Sequence, residues 1–320
     1  VGSPVKVAVV GVGALGAHHA RIYQELSQTE LVAVADLREE RAREVAELRG
    51  CPAYTDFRRL FDQVEAVSLA VPTQQHAAVG EEFLRRGIHV LVEKPIASSL
   101  EEAERLLSAR EQGRVVLRVG QSERFNPALR AVLPYVTRPL FFEAHRLGIF
   151  VPRSLDVDVV LDLMIHDLDL ALRLTGSRVT EVRSVGIPVL TPRIDIANAR
   201  LEFENGCVAN VTASRVSREK VRKFRFFQPH DYVSLDFFRQ EVEMYSLVEG
   251  AAGREVKERS PEIAKGEPLR LEIESFVRAV SGQSDSRDDF SPCTGEEGME
   301  ALSLALRVLS AARRQNATGP

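Results

Sequence analysis

The sequence predicts an α/β protein: a doubly wound parallel sheet, then a domain built on a large, mainly antiparallel sheet. Three observations lead there. Short continuous apolar runs alternate with amphipathic stretches as far as residue 119. Beyond residue 122 this rhythm gives way to successive segments of alternating polarity. The 320 residues suffice for two domains, at about 150 residues each.

The apolar runs are Val5–Val10, Leu31–Ala35, Ala66–Ala70, Ile88–Val92 and Val115–Val119, and each reads as a strand. Between them, Ala14–Leu26, Arg38–Leu48, Gln75–Arg86 and Leu100–Gln112 read as helices. Apolar strands alternating with helices imply a parallel sheet covered on both faces. Next, Asp158–Leu174 predicts a helix, and Arg178–Val189, Ala197–Glu204, Val208–Val216, Lys220–Phe227 and Tyr232–Phe238 predict alternating strands with one polar face. Leu269–Val280 and Thr294–Ala312 return to helix, and Gln315–Pro320 reads as a loose tail. The expected boundaries are 1–122 and 123–320, with the last helices able to pack back on the first domain.

The first turn carries the clearest chemical signal. Gly11, Gly13 and Gly16 follow the first strand directly and open the first helix, with Ala14 and Leu15 between them. In such a turn the first glycine permits a tight bend, the second lets a pyrophosphate approach the backbone, and the third allows close helix–strand packing. The pyrophosphate then meets the free N–H groups of a helix N-terminus. Asp36 ends the second strand 20 residues beyond Gly16, where a carboxylate binds ribose hydroxyls. It would repel a 2′-phosphate, so NAD is expected ahead of NADP. Leu37 and Arg38 follow it, and Arg38 is either an exposed first-turn residue or a partner for that phosphate.

Composition narrows the remaining choices. A net charge of -4 gives no general attraction to nucleic acid or acidic membranes. Cys51, Cys207 and Cys293 form no CxxC pair, which suggests neither a disulfide framework nor a zinc site and fits a reducing cytoplasm. No uncharged apolar run approaches the roughly 20 residues of a membrane-spanning helix. With the first strand at Val5, no signal peptide is expected.

In the helix predicted over 158–174, the polar exceptions Asp158, Asp162, His166, Asp169 and Arg173 are spaced four, four, three and four apart. They line one face, which must meet solvent, a ligand or a partner. Asp167 falls off that stripe and suits packing or a loop contact. A metal held by Asp162, His166 and Asp169 would need further ligands that the sequence does not supply, so no metal is expected.

Several short segments together resemble the Gfo/Idh/MocA oxidoreductase family, named after glucose–fructose oxidoreductase and inositol dehydrogenase. They are the glycine turn, Val71-Pro72-Thr73 with His76, Glu93-Lys94-Pro95, Arg124-Phe125-Asn126-Pro127, and Asp162 four residues before His166. The resemblance implies a Rossmann domain joined to a domain with an open antiparallel sheet, which commonly forms an oligomer interface. A homodimer or homotetramer is therefore expected. The resemblance also implies NAD-dependent oxidation of a sugar hydroxyl. Val71, Pro72, Thr73, His76, Glu93 and Lys94 would lie at the cofactor, and His76 reads equally as a first-turn helix residue.

Lys94 stands at a strand's carboxyl end, where open α/β sheets bind ligands, and could steady developing oxyanion character. The resemblance makes His166 the general base, with Asp162 orienting the substrate or the imidazole, and imidazole titrates in the range this needs. Residues 162–172 and 195–217 are similar to a branch that oxidises the 3-hydroxyl of UDP-N-acetylglucosamine before a transaminase acts, toward lipid A. Arg124, Asn126 and Arg215 are then candidates for substrate contacts. Asn126-Pro127 also reads as a helix cap and first turn. Arg218, Lys220 and Arg222 share one strand parity and Lys223 and Arg225 the other, so this basic stretch cannot converge on one diphosphate. Open alternatives are a family dehydrogenase for a free sugar, inositol or diol, and a non-catalytic regulator that binds NAD. Among the other histidines, His18 and His19 suit packing or exposure, and His89 reads as structural.

Overall fold

The computed structural model describes residues 3–151, 157–250, 253–283, 290 and 292–318. The chain divides into two compact units, residues 1–125 with 267–299 and residues 126–266 with 300–320. In the first unit, β1 (Val5–Val10), α1 (Ala14–Glu25), β2 (Thr29–Ala35), α2 (Glu39–Arg49), β3 (Ala53–Tyr54), β4 (Ala66–Leu69), α3 (Thr73–Leu84), β5 (His89–Glu93), α4 (Leu100–Gly113) and β6 (Leu117–Gly120) follow one another. The six strands lie in the order β3-β2-β1-β4-β5-β6, all parallel. This is the doubly wound order, with the reversal between β1 and β4. β3 has two residues, too few to show periodicity in the sequence.

In the second unit, α5 (Pro127–Val132) and β7 (Phe141–Leu147) precede a helix whose first turn, Val160–Met164, is a π-helix that runs into α6 (Ile165–Thr175). Seven strands follow: β8 (Val179–Ile187), β9 (Ile196–Phe203), β10 (Val208–Ser214), β11 (Val221–Gln228), β12 (Asp231–Asp236), β13 (Glu241–Gly250) and β14 (Gly253–Arg259). Their sheet runs β14-β13-β12-β11-β7-β10-β9-β8 and is antiparallel except for β7 with β10.

The second face of this sheet carries the expected polar residues, among them Asn198, Arg200, Asn210 and Glu143, and an aromatic row that the sequence did not single out. Alternation splits neighbouring aromatics between the two sides. Phe142, Phe224 and Phe226 pack in the core, with ring centroids 5.4 and 6.2 Å from Phe142. On the other side Phe141, Phe227, Tyr232 and Tyr245 form a row with centroids 5.6, 5.3 and 6.0 Å apart.

Helices α7 (Pro268–Val280) and α8 (Gly295–Thr318) end the chain. Ile273, Phe276 and Val277 of α7 join Val7, Val9, Ile22 and Tyr23 in the first unit's core. Residues from Gln315, expected as a loose tail, continue α8 as far as Thr318, and 319–320 lie outside the described residues.

Candidate active site

The three glycines of the first turn answer three different demands. Gly11 holds φ +83°, and a Cβ there would sit 2.6 Å from the carbonyl oxygen of Ala70. A Cβ on Gly16 would lie 1.9 Å from the Gly11 oxygen, so only glycine lets α1 approach this closely. At Gly13 a Cβ would meet nothing within 4 Å, which leaves open space over the helix N-terminus. α1 has no acidic residue in its first turn and no side-chain cap, so its N–H groups and positive dipole end face that space.

Asp36 braces the same turn. Its Oδ2 accepts from the Val12 N–H at 2.9 Å and its Oδ1 from the Arg38 N–H at 2.9 Å. The Arg38 side chain is exposed, with Nε 3.6 Å from Asp36. Leu37 beside it is 76% exposed, an apolar surface suited to a flat ring. This turn fits a dinucleotide: a tight bend, an open glycine, an uncapped helix end and a carboxylate at the next strand.

Lys94 follows the last residue of β5 and is half-buried, and the Lys94–Pro95 bond is cis. Val71, Pro72 and Thr73 leave the neighbouring strand β4 and start α3. His76 and Glu93, expected as cofactor contacts, have interior side chains engaged with protein atoms. The His76 ring nitrogens lie 2.9 Å from the Pro95 oxygen and 3.0 Å from the Val71 oxygen. Glu93 is buried and pairs with His19 Nε2 at 2.9 Å. The reason is shared: Glu93 ends the central strand β5 and His76 lies on the inward side of α3, and buried polar side chains must find partners there.

In the second unit the polar stripe is revised. Asp158 precedes the helix, accepts from the Ile194 N–H at 2.9 Å and pairs with Arg313 at 3.1 Å. Asp169 is buried, whereas Asp162, His166 and Arg173 are half-buried and remain the accessible members. Asp162 lies in the π turn and His166 is the second residue of α6. A single π turn inserts a residue into the helix and so shifts its faces, which a constant helical period does not anticipate, and such turns frequently occur at functional sites. Asp167 points inward and forms a bidentate pair with Arg146 of β7, at 2.9 and 2.8 Å.

The residues expected at the substrate sit deeper than the sequence suggests. Arg124 is 2% exposed, pairs with Glu297 at 2.9 Å and donates to the Pro292 oxygen at 3.2 Å. Asn126 caps α5 through the Ala128 N–H at 3.1 Å and donates to the Phe237 oxygen at 3.1 Å. Arg215 is buried, donates to the Val157 oxygen and lies 3.8 Å from Asp195. Asp195 itself gathers the N–H groups of Val189, Leu190 and Thr191 at 2.7–2.9 Å and so shapes that loop. Arg218, Lys220 and Arg222 are exposed, while Arg225 on the opposite face pairs with Glu143 at 2.7 Å.

Comparison with known proteins places this geometry. The profile of the GFO/IDH/MocA oxidoreductase family, NAD-binding Rossmann fold, matches residues 5–121, and its C-terminal domain profile matches 101–228. UDP-N-acetylglucosamine 3-dehydrogenase of Acidithiobacillus ferrooxidans is 40% identical over 95% of this chain and 96% of its own length. The chain belongs to the GFO/IDH/MocA oxidoreductase family. A solved structure of that Acidithiobacillus enzyme superposes with a TM-score of 0.88 at 38% identity, covering 96% of this chain and 97% of the other. Inositol 2-dehydrogenase of Rubrobacter xylanophilus is 36% identical over 56% of this chain and 54% of its own. Levoglucosan dehydrogenase in complex with NADH, at 19% identity, 98% coverage of both chains and a TM-score of 0.84, shares the fold.

As a member of this family the protein is an oxidoreductase with NAD as cofactor. One contributor to the glycine turn escapes a reading of the sequence, and His19, read as suited to packing, proves to join a buried polar chain. Arg41, in the first turn of α2, donates through Nε to the Val12 oxygen at 2.7 Å and through Nη2 to the Gly13 oxygen at 3.3 Å. His19 is fully buried against Glu93 and Ser68. The only sequence signal for His19 is its place on the inward face of α1, between Gly16 and Tyr23. Among the described residues no group of three His, Cys, Asp or Glu could hold a metal ion, and no helix is long and apolar enough to cross a membrane.

Proposed function

We propose that this protein oxidises the 3-hydroxyl of UDP-N-acetylglucosamine to the ketone. The observation that carries this reading is the 40% identity, nearly end to end, with an enzyme of that name. NAD, when bound, supplies the hydride acceptor. The chain's own residues then have two tasks: His166 takes the hydroxyl proton, and Lys94 donates a hydrogen bond to the oxygen as it gains negative character. Asp162, one turn before His166, orients the imidazole or the sugar. The ketone then serves a transaminase that installs an amine, a step toward lipid A.

The test is NADH formation from NAD with UDP-N-acetylglucosamine, free N-acetylglucosamine and myo-inositol, each with and without a ketone-trapping transaminase. Turnover of the nucleotide sugar alone is expected. Activity on inositol with none on the nucleotide sugar would move the protein to the inositol dehydrogenases among its relatives.

The cofactor position has its own expected result. In Gly13→Ala the added methyl meets no protein atom, so the melting temperature stays within about 4 °C of wild type. It occupies the space over the helix end, so NADH affinity, read by nucleotide fluorescence, falls about tenfold or more, some 1.4 kcal/mol. Unchanged affinity would place the pyrophosphate elsewhere.

The aromatic row on the open face of the eight-stranded sheet supports assembly as a homodimer or homotetramer, because Phe141, Phe227, Tyr232 and Tyr245 form an apolar strip that a second copy can cover. Sedimentation at micromolar concentration is expected to give a dimer or larger, and a monomer would remove the proposal. A cytoplasmic setting suits the three free cysteines, and burial pushes the Cys207 thiol up to about 11, which keeps it unreactive.

A further inference from the structure

Lys94 is flanked by two residues that the structure ties down separately. On its N-terminal side, Glu93 turns its carboxylate into the first unit, where Gly120 makes room: a Cβ on that glycine would lie 3.0 Å from the carboxylate. There Glu93 meets His19 Nε2 at 2.9 Å. His19 Nδ1 lies 3.0 Å from Ser68 Oγ, and Ser68 Oγ lies 2.8 Å from the Tyr23 hydroxyl. All three of these partners are fully buried.

Burial pushes the Tyr23 phenol far above its usual range, so it stays protonated and shares a hydrogen bond with Ser68. Ser68 shares the next with His19 Nδ1, and His19 Nε2 bonds the Glu93 carboxyl group. The four side chains form one continuous hydrogen-bonded chain that ends on Glu93.

On the C-terminal side, His76 of α3 reaches both the Pro95 oxygen after β5 and the Val71 oxygen after β4. Burial pushes this imidazole down toward its neutral form, while the two carbonyls and the Glu93 charge pull the other way. A neutral ring donates to one carbonyl and an imidazolium to both, so in either state the ring ties at least one strand end to α3.

We propose that His19 and His76 are positioning residues for Lys94, fixing the backbone on either side of it through Glu93 and Pro95. The inference rests on the role of Lys94 given above. Glu93 is then the anchor of the lysine. Lys94 must present its ammonium to one oxygen, and a misplacement of about 1 Å costs on the order of a hundredfold in rate. Two independent tethers, from α1 and α3, hold it at that spot.

The test uses the intact protein with NAD and UDP-N-acetylglucosamine, and the variants His19→Gln, His76→Ala and the near-isosteric Glu93→Gln, each alone and combined with Lys94→Ala. Alone, each lowers kcat about tenfold or more, with KM for NAD changed less than about threefold. In the Lys94→Ala background the same changes lower kcat less than about twofold, because residues that act through Lys94 have nothing left to position. Hydrogen exchange by mass spectrometry gives a readout free of catalysis: the peptide spanning 93–97 exchanges faster in each variant than in wild type. Effects that multiply with Lys94→Ala, or exchange at 93–97 that stays at the wild-type rate, would overturn the proposal. Near-wild-type turnover by Lys94→Ala alone overturns it by a different route, through the role of Lys94, and the exchange measurement tells the two failures apart.

Discussion

His166→Ala is expected to lower kcat for sugar oxidation by about 10²–10⁴-fold, the usual contribution of a positioned general base. The variant should still bind NADH, because His166 belongs to the second unit and the nucleotide turn to the first. His166 is half-buried, and its two neighbours in sequence, Ile165 and Asp167, are buried. Successive helix residues are rotated by about 100°, so anchoring Asp167 inward on Arg146 sets the direction of His166. Lys94→Ala should cost about 10²–10³-fold, as removal of one oxyanion donor does. The measurement is NADH formation, with nucleotide binding followed separately by fluorescence. If His166→Ala retained near-wild-type kcat, the proton would have another acceptor and the assignment would fall.

The largest loss of stability is expected from Asp167→Ala, about 3–5 kcal/mol in urea unfolding. The Arg146 and Asp167 side chains are almost fully buried, and two hydrogen bonds of 2.8 and 2.9 Å join them. Removing the carboxylate takes the bidentate partner from a guanidinium buried in the core, which costs far more than the intact pair contributes. Replacing both partners, as Arg146→Met with Asp167→Leu, should recover most of the loss, since no charge is left stranded. A loss below about 1 kcal/mol for the single variant would mean that water or another group reaches the guanidinium. Turnover should fall as well, because the helix carrying His166 loses its rotational anchor.

The extent to which the site was legible differs between its halves. The glycine turn could be read in full, because Gly11 and Gly16 answer backbone demands that no other residue meets and Gly13 keeps the helix end open. Gly11 needs positive φ, Gly16 needs the space that a Cβ would take from the Gly11 oxygen, and Gly13 leaves its face open. The placement of Asp36 and Lys94 at the carboxyl ends of parallel strands was equally legible. The helix around His166 was legible as a helix, but its polar face was drawn with one constant period. The helix begins after Asp158, which accepts from the Ile194 N–H, and beyond the π turn at Val160–Met164 Asp169 is buried.

Arg124, Asn126, Glu93 and His76 show what a motif alone does not reveal. A polar side chain in a short motif reads as a ligand contact until its partners are known. Here Arg124 meets Glu297, 173 residues away, and Asn126 meets Phe237, 111 residues away. Glu93 finds His19 across 74 residues. Such pairings carry no local period and cannot be read from one chain.

By itself, then, the sequence determined what depends on local backbone demands and repeating polarity: the two kinds of sheet, the nucleotide turn, the acidic strand end and the family. Only the tertiary structure decided which polar groups turn inward. That choice depends on desolvation, and a buried carboxylate, guanidinium or imidazole is tolerated only where a distant partner arrives to meet it.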